Sequence, residues 1–133
     1  MAAYLLDSNI LIDALTHRRN RHERLTGLVE QGHSLACCSI NVTEVYSGMR
    51  PVEEASTDEL LGGLEYYPVT WPIARSAGLL RRDYARKGRN LSLADCTIAA
   101  VVLAHDLTLI TDNLKDYPMP QIRLHALDTD WPA

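Results

Sequence analysis

Short apolar runs alternate with amphipathic stretches along this 133-residue chain. Residues 3–6 read as a buried strand, and Ser8 as the cap of a helix running to Leu15. A second helix spans residues 22–31 and stops at Gly32. A strand over 34–38 leads into a helix over 40–49, capped by Ser39. Val42, Val45, Tyr46 and Met49 recur there at helical spacing, and Pro51 lies beyond the end. Ser56 and Glu59 form a capping-box pattern that opens a helix failing at Gly62 and Gly63. After a weak strand over 65–69, residues 72–87 carry Ile73, Ala77, Leu80 and Tyr84 on one helical face, closed by Gly88. Ser92 caps a further helix over 93–105, and strands over 107–111 and 122–127 complete the pattern, the last at an edge.

Strands this short and apolar, alternating with helices, predict an α/β fold with a mostly parallel sheet covered on both faces. No internal repeat, low-complexity segment or linker interrupts the pattern, so residues 1–133 read as one domain. Open sheets of this kind gather ligands beyond the carboxyl ends of their strands. Four acids fall near that edge: Asp7 and Asp112 just past strands, and Glu44 and Asp95 in the first turns of helices. Each also has a local explanation. Asp7 precedes a helix it could cap, Ser92 and Asp95 have capping-box spacing, Glu44 suits an exposed helix face, and Asp112-Asn113 suits a turn. Several carboxylates converging on one crevice are costly without a counter-charge, and a divalent metal ion supplies one.

Composition narrows the picture. The chain is 47% hydrophobic, enough for a core, yet no apolar run approaches the roughly 20 residues that span a bilayer. The amino terminus lacks a charged segment ahead of an apolar one, and the expectation is a cytoplasmic protein with no membrane partner. Cys37, Cys38 and Cys96 are odd in number and lack CxxC spacing, which argues for buried thiols rather than disulfides or zinc. The five histidines form no paired metal motif, which argues against a histidine-based nuclease. A net charge of -4 argues against nucleic acid, but the charge is uneven. Arg18, Arg19, Arg21 and Arg24, with Arg81, Arg82, Arg86, Lys87 and Arg89, hold nine of the thirteen Lys and Arg residues. Either stretch is a solvated helix face or, if it flanks the acids, a phosphate-binding patch.

The segments LLDSNILID, NVTEVYSGM, LSLADCTIAA and LITDNLKDY, in that order, resemble the acidic motifs of the PIN-domain ribonucleases, and within them the VapC toxins of type II toxin–antitoxin pairs. The resemblance runs from Tyr4 to the last strand. It implies a three-layer α/β/α sandwich around a central, mostly parallel sheet. It also implies metal-dependent endonucleolytic cleavage of RNA, with Mg²⁺ as cofactor and Mn²⁺ as a substitute. Asp7, Glu44 and Asp95 carry over onto the first three acidic positions, with Asp7 and Asp95 as metal anchors. The fourth corner departs from the family. Asp112 is assigned to it, but Asn113 stands in the expected slot and Asp116 lies three residues later. Asn9 and Thr111 match polar positions that hydrogen-bond the acids. Arg86, Lys87 and Arg89 are candidates for holding substrate phosphates. The implied partners are RNA, a VapB-like antitoxin and a second copy in a homodimer. Tyr46, Met49, Leu60, Leu61 and Trp71 are candidates for an apolar groove that seats the antitoxin. Two other readings compete. A phosphatase of the haloacid dehalogenase type needs an acid where Asn9 stands. A degenerate PIN fold would bind RNA or act as a scaffold without catalysis.

Overall fold

A computed structural model describes residues 3–128, so both limits of the expected domain, 1 and 133, lie outside the described residues. Strand β1 (Ala3–Leu6) is followed by helices α1 (Ser8–Leu15) and α2 (Arg21–Glu30). Strand β2 (Ser34–Cys38) leads into α3 (Ser39–Gly48), a 3-10 turn (Pro51–Glu53), α4 (Glu54–Gly62) and β3 (Glu65–Tyr67). The second half runs α5 (Trp71–Arg86), α6 (Leu93–Ala104), β4 (Thr108–Ile110), a 3-10 turn (Leu114–Asp116) and β5 (Arg123–His125). All strand pairs are parallel, in the order β3-β2-β1-β4-β5. The chain steps outward from β1 to β3, then returns to lay β4 against the free side of β1. That reversal makes the β1–β4 junction the switch point, where strand ends diverge into a crevice. Leu6 pairs with Ile110 at the junction.

Alternation along the strands divides the core in two. Leu5, Ala36, Cys38 and Leu109 face α5 and α6, together with Ile98, Ala99, Val101 and Val102 of α6. Tyr4, Leu6, Leu35, Cys37 and Ile110 face the other way, onto Ile10, Leu11, Leu25, Leu28, Val45 and Leu61. Each fully buried Leu or Ile contributes about 1.5–3 kcal/mol over an exposed one. Helix α6 is buried on most sides, which explains its near-continuous apolar sequence.

Several helix starts differ from the sequence expectation, for one reason. Hydroxyls expected to cap their own helix are engaged elsewhere. Asp7, not Ser8, is the N-cap of α1, because the Ser8 hydroxyl reaches across to α3. Cys38, not Ser39, caps α3, with its N–H donating to Asn41 Oδ1 at 2.8 Å, while the Ser39 hydroxyl receives the Val69 N–H. The helix expected to open at Ser56 begins at Glu54, and the Ser56 hydroxyl donates back to the Glu53 carbonyl. Glu44 lies in the second turn of α3 rather than the first. Gly32 and Gly88 take φ values of 91° and 82° at the positions where α2 and α5 were expected to stop. Cys37, Cys38 and Cys96 are buried free thiols whose pKa values burial pushes up, that of Cys37 to about 11. Among the described residues no helix is long and apolar enough to cross a membrane.

Candidate active site

The crevice beyond β1 and β4 is built by strand register. The Asp7 N–H donates to the Ile110 carbonyl at 2.9 Å, which extends the ladder one residue and sets Asp7 beside Thr111. Thr111, fully buried, donates its hydroxyl to Asp7 Oδ2 at 2.7 Å. The other oxygen, Oδ1, accepts the Ser8 N–H at 2.8 Å as Asp7 opens α1. Asp95 arrives from the third position of α6, its N–H held by the Ser92 hydroxyl at 3.0 Å. Its carboxylate is turned to Tyr117 instead of back to its own helix start: the Tyr117 hydroxyl lies 3.2 Å from Asp95 Oδ1 and 3.3 Å from Asp7 Oδ2. Glu44 joins from α3 through Ser8, whose hydroxyl donates to Glu44 Oε1 at 2.7 Å and accepts from Asn41 Nδ2 at 3.1 Å. One hydrogen-bonded network therefore links β1, α1, α3, α6 and β4.

Its electrostatics are unbalanced. Among the described residues no lysine, arginine or histidine forms an ion pair with Asp7, Glu44 or Asp95. Burial pushes the Asp7 carboxyl above its ordinary pKa, and the charge of Asp95 adds to that; the Thr111, Ser8 and Tyr117 donors oppose it. The amino termini of α1 and α6 aim partial positive charge at the cluster. The Tyr117 hydroxyl is held neutral, first by burial and then by the two carboxylates.

The donor set fits a hard divalent cation. It offers carboxylate oxygens only, from a buried Asp7, a half-buried Asp95 and an exposed Glu44, with an uncompensated negative charge. The three carboxylates do not close to within 4.8 Å of one another, as an exposed group of His17, His22 and Glu23 beyond the carboxyl end of α1 does. A hard divalent cation that keeps several of its waters needs only one or two carboxylates directly.

Asp112 departs from the expectation of a fourth acid at the crevice. Its carboxylate grips the guanidinium of Arg21, with Oδ2 2.8 Å from one terminal nitrogen and Oδ1 2.7 Å from the other. Arg21 is fully buried and also pairs with Asp128 at 3.0 Å and Asp13 at 3.5 Å. The Arg21 hydrogen bonds hold the Asp112 carboxyl below its ordinary pKa, the reverse of Asp7. Asp116, in the 3-10 turn, makes no hydrogen bond or ion pair to Asp7, Glu44 or Asp95. Asn113 supports the site through its backbone, donating its N–H to Thr111 Oγ1 at 3.0 Å. Asn9 is exposed on the first turn of α1 and hydrogen-bonds none of the acids.

The two basic stretches part company. In the first, Arg19 and Arg21 are taken by Asp112 and Asp128, and Arg24 donates to the Leu127 carbonyl. In the second, Arg86, Lys87 and Arg89 are exposed, with Lys87 5.1 Å above the Tyr84 ring. Arg89 donates to the Lys115 carbonyl, which ties this stretch to the segment carrying Tyr117. The expected apolar groove is also redrawn. Trp71 opens α5, on the opposite face of the sheet from Leu60 and Leu61, and Leu61 is core. Tyr46 is engaged with Asp58. A groove of about 420 Å³ lies instead between α1, α2 and α4, lined by Leu15, Leu25, Val29, Leu60 and Leu64. The sequence reading missed Tyr117, Ser8 and Asn41, neutral groups in ordinary surroundings whose role comes only from tertiary position.

Known proteins align with this arrangement. The PIN domain family model matches residues 4–116. Ribonuclease VapC10 of Mycobacterium tuberculosis is 34% identical over 115 residues, 86% of this chain and 86% of that protein. The structure of VapBC2 from Rickettsia felis bound to a promoter DNA fragment superposes with a TM-score of 0.81 at 25% identity, covering 93% of this chain and 98% of that one. A toxin–antitoxin complex from Klebsiella pneumoniae superposes with a TM-score of 0.74 at 29% identity over 93% and 97% of the two chains. The parallel sheet, the acids at its switch point and these matches establish that the chain belongs to the PIN domain family, among the VapC proteins.

Proposed function

We propose that this chain, a single PIN unit over residues 1–133, is the toxin of a type II toxin–antitoxin pair and cleaves RNA endonucleolytically with a divalent metal ion. The observation that carries the chemistry is the cluster of Asp7, Glu44 and Asp95, held together by neutral donors with no cation among them. Asp7 and Asp95 would hold Mg²⁺, or Mn²⁺ in its place, directly or through water. Bound there, the ion supplies positive charge for the phosphoryl oxygens and makes water a better nucleophile. Glu44, positioned by Ser8, would accept a proton from the attacking water as its oxygen bonds to phosphorus and the bond to the ribose oxygen breaks, the departing oxygen taking a proton from solvent. Arg86, Lys87 and Arg89 hold flanking phosphates; triple alanine replacement should weaken RNA binding and flatten its salt dependence. Unchanged affinity and slope would remove them from this role.

The partner is a VapB-like antitoxin, in keeping with the toxin–antitoxin complexes that superpose on the chain. An apolar segment of it would lie in the groove between α1, α2 and α4. Val29, at 56% exposure, is the variant site that tests this: Val29→Asp should lower antitoxin affinity and leave cleavage intact, and unchanged affinity excludes the groove. A homodimer is the expected assembly. The deciding experiment for the activity is cleavage of an RNA pool with Mg²⁺ or Mn²⁺ against EDTA. Metal-dependent cleavage that Asp7→Asn lowers at least about 100-fold supports the nuclease. Folded protein that cleaves nothing with metal present supports a scaffold instead.

A further inference from the structure

We propose that Tyr117 is a clasp for the acidic pair, a positioning residue that sets how well Asp7 and Asp95 take a cation. The reading rests on the metal-dependent site above. Asp7 and Asp95 come from different layers: one ends β1 and the other opens α6. Their nearest fixed connection is the Tyr117 hydroxyl, 3.3 Å from Asp7 Oδ2 and 3.2 Å from Asp95 Oδ1. Those two oxygens therefore lie no further apart than the two contacts laid end to end, and among the described residues no other hydrogen bond to either carboxylate joins them.

The hydroxyl can do this because its ring is buried. Tyr117 is 2% exposed and packs in the core beneath α6, beside Met119 and Ile122. The preceding 3-10 turn is fastened from outside, as the Arg89 guanidinium donates to the Lys115 carbonyl. A phenol is also the right group. It is neutral, so it lends a donor to one carboxylate at a time without cancelling the negative charge that a cation needs. An arginine or lysine at the same place would cancel it, as Arg21 does for Asp112. Thr111 fixes Asp7 alone, so the separation of the pair falls to Tyr117. Groups that orient metal-binding carboxylates in this way typically change affinity 10–100-fold when lost.

Tyr117→Phe removes only the oxygen and keeps the packed ring. Mn²⁺ binding to the full chain, measured by calorimetry and by the electron paramagnetic resonance of free Mn²⁺, tests the proposal alongside unfolding in EDTA. The expected result is a dissociation constant raised about tenfold in Tyr117→Phe, at the low end of that range, with the unfolding midpoint in EDTA nearly unchanged. Thr111→Val should also weaken binding, through Asp7 alone, and serves as a scale. Equal or tighter Mn²⁺ binding by Tyr117→Phe overturns the clasp while leaving the metal site standing. Wild-type protein that binds no Mn²⁺ overturns the metal reading itself, and the clasp with it.

Discussion

Two groups of three carboxylates in this molecule behave in opposite ways. Asp112, with Asp13 and Asp128, surrounds the buried guanidinium of Arg21. Asp7, Glu44 and Asp95 surround only hydroxyls, an amide and backbone N–H groups. The pKa of Asp112 is lowered and that of Asp7 is raised. The first group carries its own counter-charge and locks the α1–α2 turn to the carboxyl-terminal segment. That turn holds His17, Arg19 and Asn20 at positive φ, strain that the Arg21 ion pairs help to offset. The second group is left short of positive charge, at the carboxyl edge of the sheet where ligands gather in folds of this kind. An acid at a strand end is therefore informative only once its partner is known.

The sharpest way to break the comparison is Asp112→Asn. It leaves part of a buried charge uncompensated, and stability should fall by about 2–3 kcal/mol. Urea unfolding measures that loss, while cleavage per folded molecule should stay within about twofold. A variant that folds normally but no longer cleaves would return Asp112 to the catalytic group. Ser8→Ala acts on the other side. It frees Glu44 from its donor and should lower cleavage about tenfold, the equivalent of one hydrogen bond to a charged group, with little change in unfolding. Normal turnover would show that Glu44 needs no positioning. The smallest effect is in pH. The folded pKa of Asp7 is raised, so its contribution to stability is fully present below the ordinary carboxylate pKa and is lost as pH rises through the folded value. Asp7→Asn cannot ionise. Its melting temperature in EDTA should therefore gain on the wild type as pH rises from about 4 to 7. For Asp112 the sign reverses: its contribution is present above the ordinary value and fades as pH falls through the lowered one.

The sheet and its helices were legible because burial on both faces leaves continuous apolar runs such as Leu107–Ile110 and Ile98–Val102. Helix starts were less so, since the hydroxyls of Ser8 and Ser39 choose distant partners over local ones. The acids Asp7, Glu44 and Asp95 stood out through motif order, and the strand register brings Asp7 beside Thr111. The pairing of Asp112 with Arg21 was not legible, because Arg21 is 91 residues away and sits in a stretch that reads as a solvated basic face. Tyr117 closes the LITDNLKDY motif but carried no signal of its own role, as a tyrosine in a short polar turn is ordinary until its hydroxyl is seen between two carboxylates.

The central claim is that one acidic group demands a cation and the other already has one. Thermal unfolding with increasing Mg²⁺ or Mn²⁺, at constant ionic strength, tests it directly. A ligand that binds only the folded state raises the melting temperature, by an amount that grows with the logarithm of its concentration over its dissociation constant. The account predicts a rise for the wild type, an equal rise from a lower baseline for Asp112→Asn, and none for the Asp7→Asn/Asp95→Asn double variant. A wild type that does not respond, or a double variant that responds as strongly as the wild type, would contradict it.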